Sequence, residues 1–201
     1  TVWMPLGGLG GDTFRLALRT FREVFPHTTV WYMTSQPTHY LLLVGSDHEI
    51  RPDVAGIGRH LGADAVRSDL AEIRLDDPLK LAASLVLDER ETARVAGDGP
   101  LNTDRHPLLE FEAPKLAYRD ALATNLRAIA AARDWSAPLS RWDVSVETSE
   151  ALGRYVASTP ALIEGHARYQ MGTFDYAGSL RLYRSAAATS PAMASVLPDV
   201  T

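Results

Sequence analysis

The chain has 201 residues, 46% of them hydrophobic, enough to bury a core in one large domain or in one domain with an appendage. Its formal net charge of -5 gives no basic footprint for a phosphate backbone, so nucleic acid is not expected as a partner. Because cysteine is absent, disulfides, thiolate zinc sites and a cysteine nucleophile are excluded, and only His, Asp and Glu remain as metal ligands.

The hydropathy pattern predicts a soluble chain. No apolar run approaches the roughly 20 residues that a membrane helix needs, and no basic segment followed by an apolar core resembles a secretory signal. We therefore expect a cytoplasmic location and no membrane contact from this chain. The sequence starts at Thr1 directly before a strand-like run, residues 2–6, and this abrupt start predicts missing upstream sequence.

A glycine cluster, residues 7–11, leads into the first predicted helix. Asp12 is placed to cap this helix, whose apolar residues recur at helical spacing until Pro26 ends it. Glycines between a strand and a helix start can hold a phosphate, although this cluster lacks both the dinucleotide fingerprint and the P-loop lysine. A flexible turn is the simpler interpretation.

Two strand-like runs, residues 29–33 and 39–44, follow the helix. The loop between them is too short for a crossover helix, so it predicts an antiparallel hairpin, which we place at the edge of the sheet. The second run is apolar without alternation, which is typical of a strand covered on both faces.

The remainder of the chain is predicted to be mostly helical. Helices are expected over residues 51–96, with Asp77 and Pro78 as a cap, and beyond Asp120. Between them, residues 101–107 form a turn-rich stretch, and residues 108–111 predict a short strand closed by Pro114. Residues 136–138 resemble a hinge, and residues 159–191 predict two packed antiparallel helices.

Few residues carry chemistry by themselves. Asp104 and Glu110 flank the predicted turn and strand and could reach a cation, or Asp104 could simply hold the turn. Asp47, His48 and Glu49 have metal-ligand side chains, but adjacent residues point in different directions, so a solvated loop is the simpler interpretation. No zinc-protease, nucleophile-elbow or serine-base motif is present, so no catalytic residue is assigned.

An ordered set of short motifs resembles the C-terminal half of spermidine synthase-like proteins, particularly the bacterial branch often fused to membrane segments. The resemblance covers roughly residues 1–118. Its motifs are residues 3–6, 20–27, 30–31, 41–46 and 101–104, with Pro107, Leu109, Glu110 and Phe111.

The resemblance implies the C-terminal part of a Rossmann methyltransferase-like sheet that ends in an antiparallel hairpin. It also implies an aminopropyltransferase whose donor is decarboxylated S-adenosylmethionine and whose acceptor is a small-molecule amine. The family's S-adenosyl loop, ribose-binding acid and catalytic aspartate lie upstream of Trp3, so this chain contains none of them. The acceptor pocket would be walled by Trp3, Trp31, Gln36, Tyr40 and Asp104. For each tryptophan the alternative is simple core packing.

The chain departs from true spermidine synthases at two places. Val2 stands where those enzymes have a glutamine before the tryptophan. Residues 35–40 replace the aromatic loop that lines their polyamine pocket.

The tail, residues 119–201, is similar to a tetratricopeptide motif over about residues 159–191. The residues that follow the tetratricopeptide-like order are Gly165, Tyr169, Gly172, Leu180, Tyr183, Ala186 and Pro191. It departs at Glu164, where leucine is usual, and at the two extra residues 173–174. Because one repeat cannot bury its own face, it should pack on the preceding helices, on missing repeats or on a second copy of the chain.

Three hypotheses remain. In the first, the chain is part of an aminopropyltransferase that is completed by its upstream half and inactive alone. In the second, a degenerate transferase half and tetratricopeptide-like helices form a non-catalytic interaction module. In the third, Asp47 and His48 serve a small hydrolase.

Overall fold

A computed structural model describes residues 1–116, 121–135, 144–170 and 175–196. Helices dominate and surround a small four-stranded sheet, which agrees with the predicted helix-dominated α/β class. The strands are β1 (Val2–Pro5), β2 (His27–Trp31), β3 (Tyr40–Ser46) and β4 (Leu85–Leu87). The helices are α1 (Gly11–Val24), α2 (Val54–Leu61), α3 (Asp64–Glu72), α4 (Pro78–Ala83), α5 (Glu89–Ala96), α6 (Leu108–Leu116), α7 (Ala121–Ala132), α8 (Val146–Gln170) and α9 (Tyr176–Thr189), followed by a 3₁₀ turn at Pro191–Val196. Among the described helices, none is both long and apolar enough to cross a membrane.

The sheet has the strand order β1-β3-β2-β4, and each of these neighbouring pairs is antiparallel. The predicted hairpin of β2 and β3 is therefore confirmed as antiparallel. Its predicted place at the sheet edge is wrong, because β1 pairs with the free side of β3 and β4 pairs with the free side of β2. Since β1 and β2 both run opposite to β3, they run in the same direction.

One face of the sheet forms the main core. Leu41 and Leu43 of β3 are buried there and pack with Phe14 and Leu18 of α1 and with Leu126 of α7. The apolar residues of α1 lie three or four positions apart, so one stripe of the helix faces the sheet. Side chains alternate across a strand, so Leu42, which lies between Leu41 and Leu43, points to the opposite face.

Two predicted elements are corrected. Leu85–Leu87, expected within a helical stretch, is β4, and residues 108–111, expected to be a strand, belong to α6. Both segments are short apolar runs, for which periodicity does not separate strand from helix. For α6 the deciding contact comes from outside the run, because the Asn102 Oδ1 accepts a hydrogen bond from the Leu109 N–H at 2.8 Å.

The helix starts show which caps the sequence predicts well. Asp77 caps α4 as predicted, since its carboxylate accepts a hydrogen bond from the Leu79 N–H at 2.8 Å. Asp12 does not cap α1: the helix begins one residue earlier, and its N-cap residue is Gly10, which has no side chain to offer. Asp12 instead pairs with Arg15 one turn along the helix.

The tail helices pack against each other and against the sheet. Ring contacts pair His166 with Tyr183 and Tyr169 with Tyr176, so α8 and α9 run antiparallel as predicted. The apolar stripe of α7 is fully buried, at Leu122, Leu126 and Ile129. Ile163 and Ala167 of α8 join the same core as the sheet, so the sheet and the tail share one interior. The predicted hinge at residues 136–138 and Gly172 lie outside the described residues.

Candidate functional site

Three of the five predicted site residues, Trp3, Trp31 and Tyr40, lie on the face of the sheet opposite the main core. Leu42 of β3 lies directly opposite Trp3 of β1 on one side and opposite Trp31 of β2 on the other. Tyr40, two residues before Leu42, projects from the same face. The side chains of Trp3 and Tyr40 are 63% and 49% exposed, and their rings meet edge to face with centroids 6.2 Å apart. We call Trp3, Trp31, Tyr40 and Leu42 the aromatic face.

Trp31 lies where the aromatic face meets the tail. Its indole N–H donates to the Thr29 hydroxyl at 2.9 Å, and its ring packs against the apolar cluster that includes Leu85 of β4 and Leu152 of α8. Trp31 is thus half-buried, and core packing accounts for part of its environment. Trp3 has no comparable cover, so core packing does not account for its position.

Gln36 is exposed in the loop between β2 and β3. That loop is anchored to the end of β1, because the Leu6 N–H donates to the His39 carbonyl at 2.7 Å. Within the loop, the Tyr40 N–H donates to the Thr38 hydroxyl at 3.3 Å. Gln36 therefore lies on the loop that leads into Tyr40, at the same end of the sheet as the exposed aromatic pair.

Asp104 lies apart from the aromatic face. Its loop is attached to α1 through the Asn102 N–H, which donates to the Thr20 hydroxyl at 2.9 Å, and α1 covers the other face of the sheet. Within the turn, the Thr103 hydroxyl accepts the His106 N–H at 3.2 Å, so Thr103 supplies the side-chain hydrogen bond. The structure brings together Trp3, Trp31 and Tyr40 but not Asp104.

The other candidate acids form no metal site. Asp47 and His48 are both more than 80% exposed, with 3.6 Å between the Asp47 Oδ1 and the His48 Nε2. Glu110 is exposed in the first turn of α6. Among the described residues, no group of three or more His, Asp or Glu side chains could hold a metal ion.

A buried polar cluster, whose members are far apart in the sequence, joins the sheet to the tail. The Tyr32 hydroxyl lies 2.9 Å from the His166 Nδ1, and the His166 and Tyr183 rings are 5.6 Å apart. Burial lowers the pKa of His166 to about 3 and raises the pKa of both tyrosines, so all three side chains are neutral at pH 7. In the sequence, this cluster is visible only as a histidine on an apolar helix, and a histidine that merely packs in a core produces the same pattern.

The glycine loop before α1 is fixed by a distant side chain. Asn125 of α7 is buried, and its amide nitrogen donates to the carbonyls of Leu6 at 3.0 Å and Leu9 at 2.7 Å. Gly8 adopts a positive φ of 79°, a conformation that suits glycine. The two hydrogen bonds from Asn125 thus hold the loop in place, and the position of the loop sets where α1 begins.

In the comparisons with known proteins, no family model, no curated protein and no solved structure matches the chain.

Proposed function

We propose that the chain is the C-terminal portion of a spermidine synthase-like aminopropyltransferase, and that the aromatic face walls the pocket for the amine acceptor. One observation carries the proposal: Trp3, Leu42 and Trp31 share one row of the sheet, and Tyr40 contacts Trp3 beside it. An aliphatic amine requires an apolar wall for its methylene groups, and aromatic faces attract its ammonium group.

The topology supports this proposal. β1 and β2 run in the same direction and are joined through α1, an order of strand, helix and strand that a Rossmann methyltransferase-like sheet would have. β3 then returns antiparallel between them, as expected for a sheet that ends in an antiparallel hairpin.

The proposed reaction transfers an aminopropyl group from decarboxylated S-adenosylmethionine. The amine nitrogen attacks the propyl carbon next to the sulfonium, a C–N bond forms, the C–S bond breaks and a thioether leaves. The proton released by the amine goes to an acidic residue of the upstream half. The aromatic face orients the acceptor in this scheme. Asp104 is not used, because it lies on the other side of the sheet.

In this proposal the complete enzyme works in the cytoplasm, with any upstream membrane segments as a tether. The 201-residue chain should not bind the donor, because a nucleotide of that size needs a glycine turn, a helix N-terminus and a ribose-binding carboxylate together. Calorimetric titration of the chain with decarboxylated S-adenosylmethionine should show no heat of binding. A Kd in the micromolar range, roughly -8 kcal/mol, would place the donor site within this chain and contradict the division of roles.

The role of the aromatic face is tested in the protein extended by its upstream half. We expect Trp3→Leu to raise the KM for the amine about tenfold, because the loss of one aromatic contact weakens acceptor binding by roughly 1–2 kcal/mol. Phe111→Leu is the matched control, since Phe111 is 66% exposed on α6 and lies off the aromatic face. Equal KM values for the two variants would remove the aromatic face from the pocket.

The packed pair of α8 and α9 favours a second candidate, a non-catalytic interaction module. In that case the partner is a second copy of the chain or the upstream half of the same protein. Absence of aminopropyl transfer by the extended protein, together with concentration-dependent self-association by sedimentation velocity, would select this candidate over the transferase.

A further inference from the structure

A cavity of about 580 Å³ opens between α1, α5 and α7. Sites for small molecules commonly measure about 300–1,000 Å³, so this cavity has the size of a ligand site. Because α1 and α7 cover the core face of the sheet, the cavity lies on the opposite side of the sheet from the aromatic face. It is therefore separate from the proposed acceptor pocket.

The first feature of the cavity is the beginning of α1. Gly11, the first residue of the helix, lines the cavity, and Gly10 before it provides no side-chain cap. The first amide N–H groups of a helix have no acceptor within the helix, and the helix dipole makes this end positive. Such an end favours an oxyanion when other groups hold the anion in place.

The second feature is a set of arginines contributed by three segments of the chain. Arg15 of α1, Arg94 of α5 and Arg133 after α7 line the cavity together with one carboxylate, Asp134. Arg133 is ion-paired with Glu91. Arg15 is paired with Asp12 outside the lining. Arg94 donates only to the Ala132 carbonyl at 2.9 Å, and within the described part of the chain no carboxylate pairs with it.

The third feature is the burial of Arg133. Its side chain is only 6% exposed, and its Nη1 donates to the Glu91 Oε2 at 2.6 Å. Glu91 also accepts the backbone N–H groups of Asp88 and Asp134, so its carboxylate is shared among three donors. The Arg133 Nε has no hydrogen-bond partner among the described residues. The guanidinium also lies 5.9 Å from the centroid of the Trp135 ring, so Arg133 forms a fixed, ion-paired part of the cavity wall.

The rest of the lining combines apolar residues, among them Phe14, Val95 and Ala128, with the polar residues Thr124 and Asn125. We infer that this cavity binds a small organic oxyanion, a phosphate or carboxylate group attached to an apolar body, with Arg94 and the start of α1 holding the charged group. The inference does not depend on the proposed transferase function.

The test uses the 201-residue chain, labelled with ¹⁵N and titrated with phenyl phosphate, benzoate, inorganic phosphate and benzylamine. At least one of the two aromatic anions should shift the amide signals of Gly11 and Asp12 in a saturable way, with a Kd below ~1 mM. A difference between phenyl phosphate and benzoate identifies the oxyanion, and weaker binding of inorganic phosphate shows that the apolar lining contributes. The inference is overturned if neither aromatic anion saturates, or if benzylamine, which has the apolar body with a positive charge, shifts the same amides equally.

Variants localise the site. Arg94→Gln should weaken binding of the aromatic anion about tenfold, because it removes a charge-assisted contact and leaves the packing of α5 unchanged. Arg105→Gln is the matched control, since Arg105 is an exposed arginine outside the lining. Ala131→Phe fills the cavity from an exposed helical position and should abolish the shift at Gly11. Equal affinity of Arg94→Gln and Arg105→Gln, or full binding by Ala131→Phe, would contradict the assignment.

Discussion

His166 shows how strongly one buried residue ties protonation to folding. It lies fully buried on α8 between Tyr32 and Tyr183, and among the described residues its Nε2 has no hydrogen-bond partner. Burial lowers its pKa to about 3, against 6.5 for an ordinary imidazole. The tyrosines around it are neutral at neutral pH and provide no charge to stabilise an imidazolium. The folded protein therefore holds His166 without its second proton.

This predicts a specific dependence of stability on pH. Between pH 6.5 and about 3 the unfolded chain binds a proton at His166 and the folded chain does not, so stability is complete above pH 6.5 and declines as the pH falls. The contribution is about 1.4 kcal/mol per pH unit in that window. Urea unfolding at pH 7, 6 and 5 should show a smaller decline for His166→Gln than for the wild-type chain.

The control for this prediction is His48→Gln, because the His48 side chain is 87% exposed. Its unfolding free energy should follow the wild-type decline. If the His166→Gln and wild-type curves run parallel between pH 7 and pH 5, protonation of His166 does not oppose folding.

Elements whose structure depends on neighbouring residues were predictable from the sequence. The structure contains the amphipathic helix α1, the short loop between β2 and β3 and the buried stripe of α7. β4 and α6 were not predictable, because their short apolar runs take a structure decided by partners elsewhere. β4 depends on pairing with Val30 and Trp31, and the first turn of α6 depends on the Leu109 N–H, which donates to the Asn102 side chain.

The packing of α8 on α9 depends on the absence of a side chain at Gly165. A Cβ atom there would lie 2.5 Å from the Tyr183 ring, which is fully buried. Gly165→Ala should therefore lower the free energy of unfolding by roughly 1–3 kcal/mol through overpacking, despite the better helix propensity of alanine. Urea denaturation followed by circular dichroism measures the difference.

Gly153, in the same helix, is the matched control. A Cβ atom at Gly153 meets no atom within 4 Å, so Gly153→Ala should stabilise the chain by up to about 1 kcal/mol. Effects of the same sign at the two positions would show that helix propensity, and not contact with Tyr183, controls the result.

At the scale of the whole molecule, the candidate sites depend on contacts between distant parts of the sequence. Trp3, Trp31 and Tyr40 can each be chosen from the sequence, but their common row depends on the pairing of β1 with β3. The cavity depends on the approach of α1, α5 and α7, whose pattern of arginines is unremarkable along the chain. Tertiary packing, which one sequence does not display, decides both arrangements.

The side chain of Asn125 links α7 to the loop before α1. Asn125→Ala removes both donors to the loop before α1 and leaves the buried carbonyls of Leu6 and Leu9 without that amide. We expect a loss of on the order of 3 kcal/mol in the free energy of unfolding. Gln36→Ala, which removes an exposed amide, should leave stability unchanged, and an equal loss in the two variants would show that the hydrogen bonds of Asn125 contribute little.

The position of α8 has a consequence for biosynthesis. Leu152 and Tyr155 belong to the cluster around β4, whereas Ile163 and Ala167 complete the core of the sheet. A nascent chain made from its N-terminus has β1 to β4 long before it has α8, so both apolar surfaces stay exposed while the ribosome adds the tail. We therefore expect the sheet to complete its packing only after α8 has left the ribosome.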